Sequence, residues 1–453
     1  MLPTLVSLIS LTPIVAHAAL QVDLESPDSI KTAAKLVAGD LLSYYQGREP
    51  GHTLGILPGP PPDGDYYWWQ AGAMWGGMID YWYWTGDDTY NDIVYEAILA
   101  QAGPDRDFMD KNWTLSLGND DQSFWGMTAL SAAESNFQDP PQGEPQWLAL
   151  AQAVWNEQAS PDRRGPECGG GLRWQIQPTN RGYDYKNTIP NAIFFNMGAR
   201  LARYTNNDTY AQHSTDTWNW LIEHVYIDDK FNVYDGAHIA DNCTTVNKQQ
   251  FSYNAAVLLL GAAHMYNYTN ASKDWEARVS GLLDGIERVF FLNGTAYEPT
   301  CEARICLTDP ISFKGYLHRW MAVSSQVAPF IHDRVMGLLK TSTRAAVDQC
   351  TGGADGRQCG FHWSTGMYDG ATGAGQEMNV VGALASLLIE AAAPPLTNGT
   401  GGSSLGDPDA GSGPKKETDE FKQVTTGDQA GAGIVTVLLL GFAMVSLWFM
   451  VWK

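Results

Sequence analysis

One turn phrase recurs along the chain and constrains its fold more than any other feature. Tyr83-Trp84-Thr85-Gly86-Asp87-Asp88, Tyr204-Thr205-Asn206-Asn207-Asp208 and Tyr268-Thr269-Asn270-Ala271-Ser272 each close one segment of helical periodicity and open the next. Gly or Asn suits the left-handed residue that ends a helix, and Asn, Asp or Ser suits the residue that caps the one after it. The spacing is an internal repeat of roughly sixty residues, one helical hairpin per unit.

Apolar side chains between residues 28 and 393 keep a helical period, with few alternating β-branched runs. Ile189, Ile193, Met197 and Leu201 form one stripe around Pro190 in a first turn; Phe251, Ala255, Leu258, Leu259 and Ala262 form a second; Val381, Leu384, Leu387 and Leu388 form a third. Helix starts fall near residues 28, 66, 89, 121, 145, 188, 208, 251, 272, 312, 328 and 376. Twelve helices in hairpin pairs predict an all-α (α/α)6 toroid. Its inner layer comprises the helices from 66, 121, 188, 251, 312 and 376, all beginning on one face. With 44% hydrophobic residues, 17 Trp and 20 Tyr, the chain has the apolar surface to fill such a ring.

Several groups converge on that face: Trp68, Trp69 and Gln70; Asn119, Asp120 and Asp121, with Trp125 just behind; Lys186 and Asn187; Tyr253 and Asn254; Lys314 with Arg319; Gln376 and Glu377. Polar residues at helix starts are ordinary caps, but capping does not account for the tryptophans. Aromatic faces for pyranose rings, with amides and charges for hydroxyls, make a sugar site.

Three Asp-Asp pairs serve as controls for one another. Asp87-Asp88 lies in a hairpin turn and reads as capping; Asp228-Asp229 precedes Lys230 in a polar loop and reads as solvated surface. Asp120-Asp121 falls at an inner-helix start. Glycoside cleavage needs one protonated carboxyl for the leaving oxygen and one ionised carboxyl to attack or to activate water. Like-charge repulsion raises one pKa of such a pair, while a helix N-terminus keeps the other ionised. Consecutive residues suit the ~5 to 5.5 Å separation of retaining enzymes better than the wider gap of inverting ones.

The flanks point to a surface protein. Residues 1–18 have an apolar run ending in Ala16-His17-Ala18, a signal peptide with its cleavage pattern. Residues 19–393 are the expected catalytic domain, 394–433 a disordered Gly/Ser/Pro-rich spacer, and 434–453 a hydrophobic anchor or glycolipid-anchor signal. Seven Asn-x-Ser/Thr sequons start at Asn112, Asn207, Asn242, Asn267, Asn270, Asn293 and Asn398. Six Cys in an oxidising route should pair, with short loops closing first: Cys301 to Cys306, Cys350 to Cys359, and Cys168 to Cys243 by elimination. A net charge of -22 excludes nucleic acid as a partner.

Other signals are weak. Gly402-Ser403-Ser404-Leu405-Gly406 fits the nucleophile-elbow pattern but lies in the spacer with no strand before it. The nine His show no metal-ligand spacing, and no metal or other cofactor is expected.

Gly118-Asn119-Asp120-Asp121-Gln122 together with Trp68-Trp69-Gln70 resembles glycoside hydrolase family 76. Cys168-Gly169-Gly170-Gly171-Leu172-Arg173-Trp174, Tyr185-Lys186-Asn187-Thr188, Tyr253-Asn254 and Phe313-Lys314-Gly315 are similar to its further motifs, in order, over roughly residues 25 to 393. The signal peptide, spacer and tail resemble its fungal cell-wall branch. The resemblance implies an (α/α)6 fold and a retaining, endo-acting mannosidase or transglycosidase. Its substrate would be an α-1,6-linked mannosyl glycan, with wall glucan as an acceptor. Asp120 would be the nucleophile and Asp121 the acid/base, with Trp174 among the sugar-binding residues. After Asn254 the chain has Ala255-Ala256 where relatives carry Gln-Gly. A non-catalytic mannan-binding protein is the alternative.

Overall fold

The computed structural model describes residues 19–412 and 426–451. The first stretch is a closed double ring of helices. α2 (Trp68–Thr85), α4 (Asn119–Glu134), α7 (Thr188–Thr205), α9 (Ser252–Tyr268), α11 (Phe313–Val327) and α13 (Ala374–Ser386) pack in that order, with α13 returning to α2. Around them stand α1 (Pro27–Leu42), α3 (Asn91–Gln101), α5 (Trp147–Ala159), α8 (Asp208–Glu223), α10 (Lys273–Phe290) and α12 (His332–Asp348). This is the (α/α)6 toroid, and each expected helix start lies within a few residues of an observed one.

The inner helices are buried almost all round, as in α9, where Asn254 to Met265 are all buried. An inner helix meets a neighbour on each flank, an outer helix behind and the ring's core in front. The outer helices keep one wet face. Down the ring's axis Trp69, Phe124, Tyr316 and Trp320 pack in succession, with centroids 4.4, 5.9 and 5.5 Å apart. The centre is thus a packed core, and the site must lie above it, at the inner helices' N-terminal ends.

The recurrent turns work as their residues demand. Gly86 ends α2 at φ 77° with its N–H on Trp82 O, and Asn206 ends α7 at φ 53° with its N–H on Ala202 O. Asn207 then caps α8, its Oδ1 accepting from Thr209 N at 2.9 Å. Asp87 ties its turn together by accepting from Tyr81 Oη at 2.6 Å and Lys35 Nζ at 3.1 Å. Asp228, expected as solvated surface, instead clasps its loop: it accepts from Lys230 N, Asn232 N and Tyr234 Oη. Short strands β1 (Tyr185–Asn187) and β2 (Gly236–His238) pair antiparallel beside the start of α7. All three disulfides are as expected: Cys168–Cys243, Cys301–Cys306 and Cys350–Cys359.

The expected domain end at residue 393 moves outward. Residues 394–412 form a strap bound to the ring: Leu396 N donates to Glu134 O at 2.7 Å, and Asn136 Nδ2 to Gly401 O at 2.8 Å. The compact unit therefore runs to Ser412. The one-turn α6 (Pro161–Arg164) follows α5. The C-terminal unit contains α14 (Thr426–Val451), with part of its side chains and Trp452 and Lys453 outside the described residues. Among the described residues no helix is long and apolar enough to cross a membrane. The segment expected to be a signal peptide, residues 1–18, also lies outside them.

Candidate active site

Asp120 and Asp121 occupy the first turn of α4, half-buried. Their donors differ. Asp121 Oδ2 reaches back to accept the Gly118 N–H at 2.6 Å, as an acidic residue at the third helical position does. Asp120 Oδ1 accepts the Asp121 N–H at 3.1 Å, and its Oδ2 accepts Trp174 Nε1 at 3.0 Å. Burial pushes both carboxyls up. For Asp120 the rise is large, with the charge of Asp121 as the second cause. Asp121 is raised to about 7, where burial is joined by the charge of Asp309. Each residue is within reach of the other's field, so the pair holds a proton near neutrality.

The segment carrying Trp174 is fastened to the head of α4. Asn119 N donates to Trp174 O at 2.8 Å and Asn119 Nδ2 to Arg173 O at 2.9 Å, while Arg163 Nη1 donates to Asn119 Oδ1 at 2.8 Å. Trp174 itself is 37% exposed and offers a flat apolar face beside the pair. Across the cleft Trp69 Nε1 donates to Asp309 Oδ1 at 3.2 Å. Tyr253 lies flat on Phe313, centroids 3.9 Å apart, and its phenol is pushed up by burial and by the charges of Asp120, Asp235 and Asp309. Carboxylates and aromatic planes thus gather about the pair.

A model of glycosyl hydrolase family 76 matches residues 29–399. The chain belongs to that family. It is 41% identical to mannan endo-1,6-alpha-mannosidase DCW1 of Saccharomyces cerevisiae over 95% of both chains. It is 43% identical to a putative mannan endo-1,6-alpha-mannosidase of Schizosaccharomyces pombe over 87% of this chain and 88% of that protein. The crystal structure of Dfg5 from Chaetomium thermophilum in complex with glucosamine superposes with a TM-score of 0.84 at 53% identity, covering 86% of this chain and 97% of that one. An α-1,6-mannanase of Salegentibacter, at 16% identity and a TM-score of 0.62 over 80% of this chain and 99% of that one, shares the family 76 fold.

Within this family 76 ring the other expected site residues divide. Trp69, Asn119 and Trp174 stand with the pair. Asn187 and Asn254 lie at neighbouring helix heads, and Asn187 Oδ1 and both amide atoms of Asn254 are buried without a partner. The rest support the site from below or behind. Trp68 turns outward to Gln101 Oε1 at 2.8 Å, and Trp125 is wholly buried between Trp68 and Phe108. Gln70 accepts the Tyr67 N–H and donates to Thr308 O at 3.1 Å, holding the loop that carries Asp309. Lys186 Nζ donates to the carbonyls of Arg164, Glu167 and Gly170 at 2.6 to 2.8 Å, so the lysine fixes the glycine-rich loop. Lys314 Nζ donates to Glu302 Oε1 at 2.9 Å and Phe361 O at 2.7 Å. Arg319 pairs with Asp80 at 2.7 Å inside the ring, and Glu377 accepts from Cys359 N at 2.9 Å. Burial raises Glu377 to about 8. Long side chains at helix heads looked like sugar ligands in sequence, and tertiary partners claim them.

Two carboxyls went unmarked. Asp309, raised by burial to about 6, precedes Pro310 at the approach to α11 and reads in sequence as a helix-start residue. Asp235 accepts from Tyr185 Oη at 2.7 Å and lies in a loop without periodicity. No local signal separates either from an ordinary loop acid.

Proposed function

We propose that the chain is an endo-acting, retaining α-1,6-mannosidase or transglycosidase acting on α-mannan or on the mannose core of glycolipid-anchored wall proteins. The observation that carries this is the Asp120-Asp121 pair: consecutive carboxyls at the head of an inner helix, held by different donors under an aromatic cleft. The names of the yeast relatives supply the linkage.

Asp120 is the nucleophile. Two N–H donors stabilise its carboxylate, and α4's N-terminus adds a favourable field. In the empty cleft the proton is shared, with burial and Asp121 holding Asp120 up. An anomeric carbon gaining positive charge against Asp120 draws the negative charge there and leaves the proton on Asp121, whose pKa of about 7 suits a general acid. The glycosidic C–O bond breaks as Asp121 protonates the leaving oxygen and Asp120 bonds to the anomeric carbon. Asp121, now a base, then takes the proton of an incoming hydroxyl whose oxygen displaces Asp120. Two inversions give retention. Water as the acceptor gives hydrolysis; a wall-glucan hydroxyl gives transfer. An apolar N-terminal run and the Ile434 to Trp452 tail support the reading of a surface enzyme at the plasma membrane or wall, held by a glycolipid anchor or a C-terminal helix.

The test is product analysis on α-1,6-mannan with and without added glucan. New reducing ends mark hydrolysis, and mannosylated glucan marks transfer. No turnover of any α-1,6-linked mannoside would leave only a binding role.

A further inference from the structure

The two carboxyls carry the bond-breaking steps and leave one phenol beside them without a task. Tyr253 is the second residue of α9, half-buried at the helix head, and its ring is clamped. It lies flat on Phe313 at the head of α11, with centroids 3.9 Å apart and planes 9° apart, and it meets Phe251 edge-on at 6.2 Å. Toward α4, Phe124 runs parallel to it at 6.5 Å, and Phe124 lies one turn below Asp120 on the same helix. Three rings thus fix where the hydroxyl sits without the help of a hydrogen bond.

That hydroxyl departs from the habit of its fellows. The hydroxyls of Tyr81, Tyr185, Tyr226 and Tyr316 each donate to a protein oxygen at 2.6 to 2.8 Å, as buried phenols normally do. Tyr253 Oη makes no hydrogen bond to any described residue, although the charges of Asp120, Asp235 and Asp309 all bear on it. Those carboxyls are served from elsewhere: Asp120 takes Trp174 Nε1, Asp235 takes Tyr185 Oη, and Asp309 takes Trp69 Nε1. They also keep the proton on the phenol, because burial and their charges both push it up. A fixed, protonated donor that stands among acceptors and bonds to none of them faces a space and not a protein partner. Where the chemistry is performed on a polyol, the group that enters such a space is a sugar oxygen.

We infer that Tyr253 is a specificity-determining residue, its phenol donating to a ring hydroxyl of the mannosyl unit seated over Asp120. The inference deepens the glycosidase reading of the carboxyl pair and rests on it. A sugar hydroxyl is donor and acceptor at once, so carboxylates alone satisfy its proton and leave its lone pairs bare. Tyr253 supplies the donor that an ionised carboxylate lacks. Because three rings hold it in place beforehand, little freedom is lost when the sugar arrives. A substrate without that hydroxyl leaves the phenol desolvated and unpaired, which is how a site built to hydrogen-bond a hydroxyl rejects the analogue lacking it.

The test measures kcat/KM of the full-length protein and of Tyr253→Phe on an activated aryl α-mannoside and on its 2-deoxy, 3-deoxy and 4-deoxy analogues. Phenylalanine keeps the ring on Phe313, so only the hydroxyl is removed. On the intact mannoside the variant should lose about tenfold or more. On the one analogue that lacks the hydroxyl Tyr253 serves, parent and variant should agree, while the gap persists on the other two. A phenol that only packs, or that acts through the field of Asp120, would depress every substrate alike, and that result overturns the inference. A variant that matches the parent on the intact sugar overturns it as well. A parent protein that turns over none of these mannosides overturns the glycosidase reading itself, and the contact with it.

Discussion

Gly118→Ala tests whether the carboxyl pair works through its placement. Gly118 caps α4 at φ -86° and ψ 165°, an extended conformation open to any residue, so the backbone raises no objection to alanine. The obstacle is the added methyl. It would stand against Asp120 Oδ1, 3.0 Å from Trp174 O and 3.2 Å from Asp121 Oδ2. Trp174 O is pinned by Asn119 N at 2.8 Å, so the carboxylate of Asp120 must move by about 1 Å to restore contact distance. That displacement breaks its bond to Asp121 N or to Trp174 Nε1. A misplacement of this size costs about 10²-fold in kcat, whereas crowding should cost about 1 to 3 kcal/mol of stability. Gly86→Ala is the control: its φ is 77° and open space surrounds it, so it should lose about 1 kcal/mol and no activity. Steady-state kinetics on an α-1,6-mannan oligosaccharide with denaturant unfolding separates the two effects. A folded Gly118→Ala enzyme within threefold of the parent rate would refute the reasoning.

Four further outcomes are expected. Asp120→Asn and Asp121→Asn should each abolish turnover with the fold intact by circular dichroism, while Asp87→Asn should stay active. Asp87 is held down to about 2 by its hydroxyl and Lys35 partners, despite partial burial. A depressed folded-state pKa stabilises above the unfolded value, so the deficit of Asp87→Asn should be full at pH 7 and vanish as pH falls from about 4 through about 2, read by unfolding at each pH. The charge of Asp309 helps raise Asp121, so Asp309→Asn should move the alkaline limb of kcat/KM to lower pH; an unmoved limb would unlink the two groups. Removing Cys168–Cys243, which closes 75 residues, should cost about 4.5 kcal/mol against about 2 for the five-residue Cys301–Cys306 loop, read as unfolding midpoints.

The ring was legible because its cues are local. Turn residues such as Gly86 and Asn206 and the 3.6-residue stripes mark where helices stop and start, and a count of twelve leaves few ways to close them. The carboxyl pair was legible because two adjacent acids at a helix start bring their own geometry. The partners of Lys186 and Lys314 were not legible for the opposite reason: a charged side chain at a helix head looks the same in sequence whether it faces a ligand or, as Lys186 does, three carbonyls from another loop, and nothing local to Arg319, inside α11, announces its pairing with Asp80. Asp309 was missed because its importance comes from Trp69, 240 residues away. The strap was taken for spacer on its Gly, Ser and Pro content. Its order comes from side chains distant in sequence, such as Asn136 just beyond α4 and Asn156 of α5, whose amides donate to its carbonyls.

The most direct test of the central claim is to find where the sugar becomes covalently attached. Asp121→Asn enzyme treated with an activated α-mannoside, whose leaving group needs no proton, should accumulate a mannosyl adduct visible by intact mass, and peptide mapping should place it on Asp120. Azide should then release an α-mannosyl azide. An adduct on another residue, or an inverted product formed without any adduct, would contradict the account.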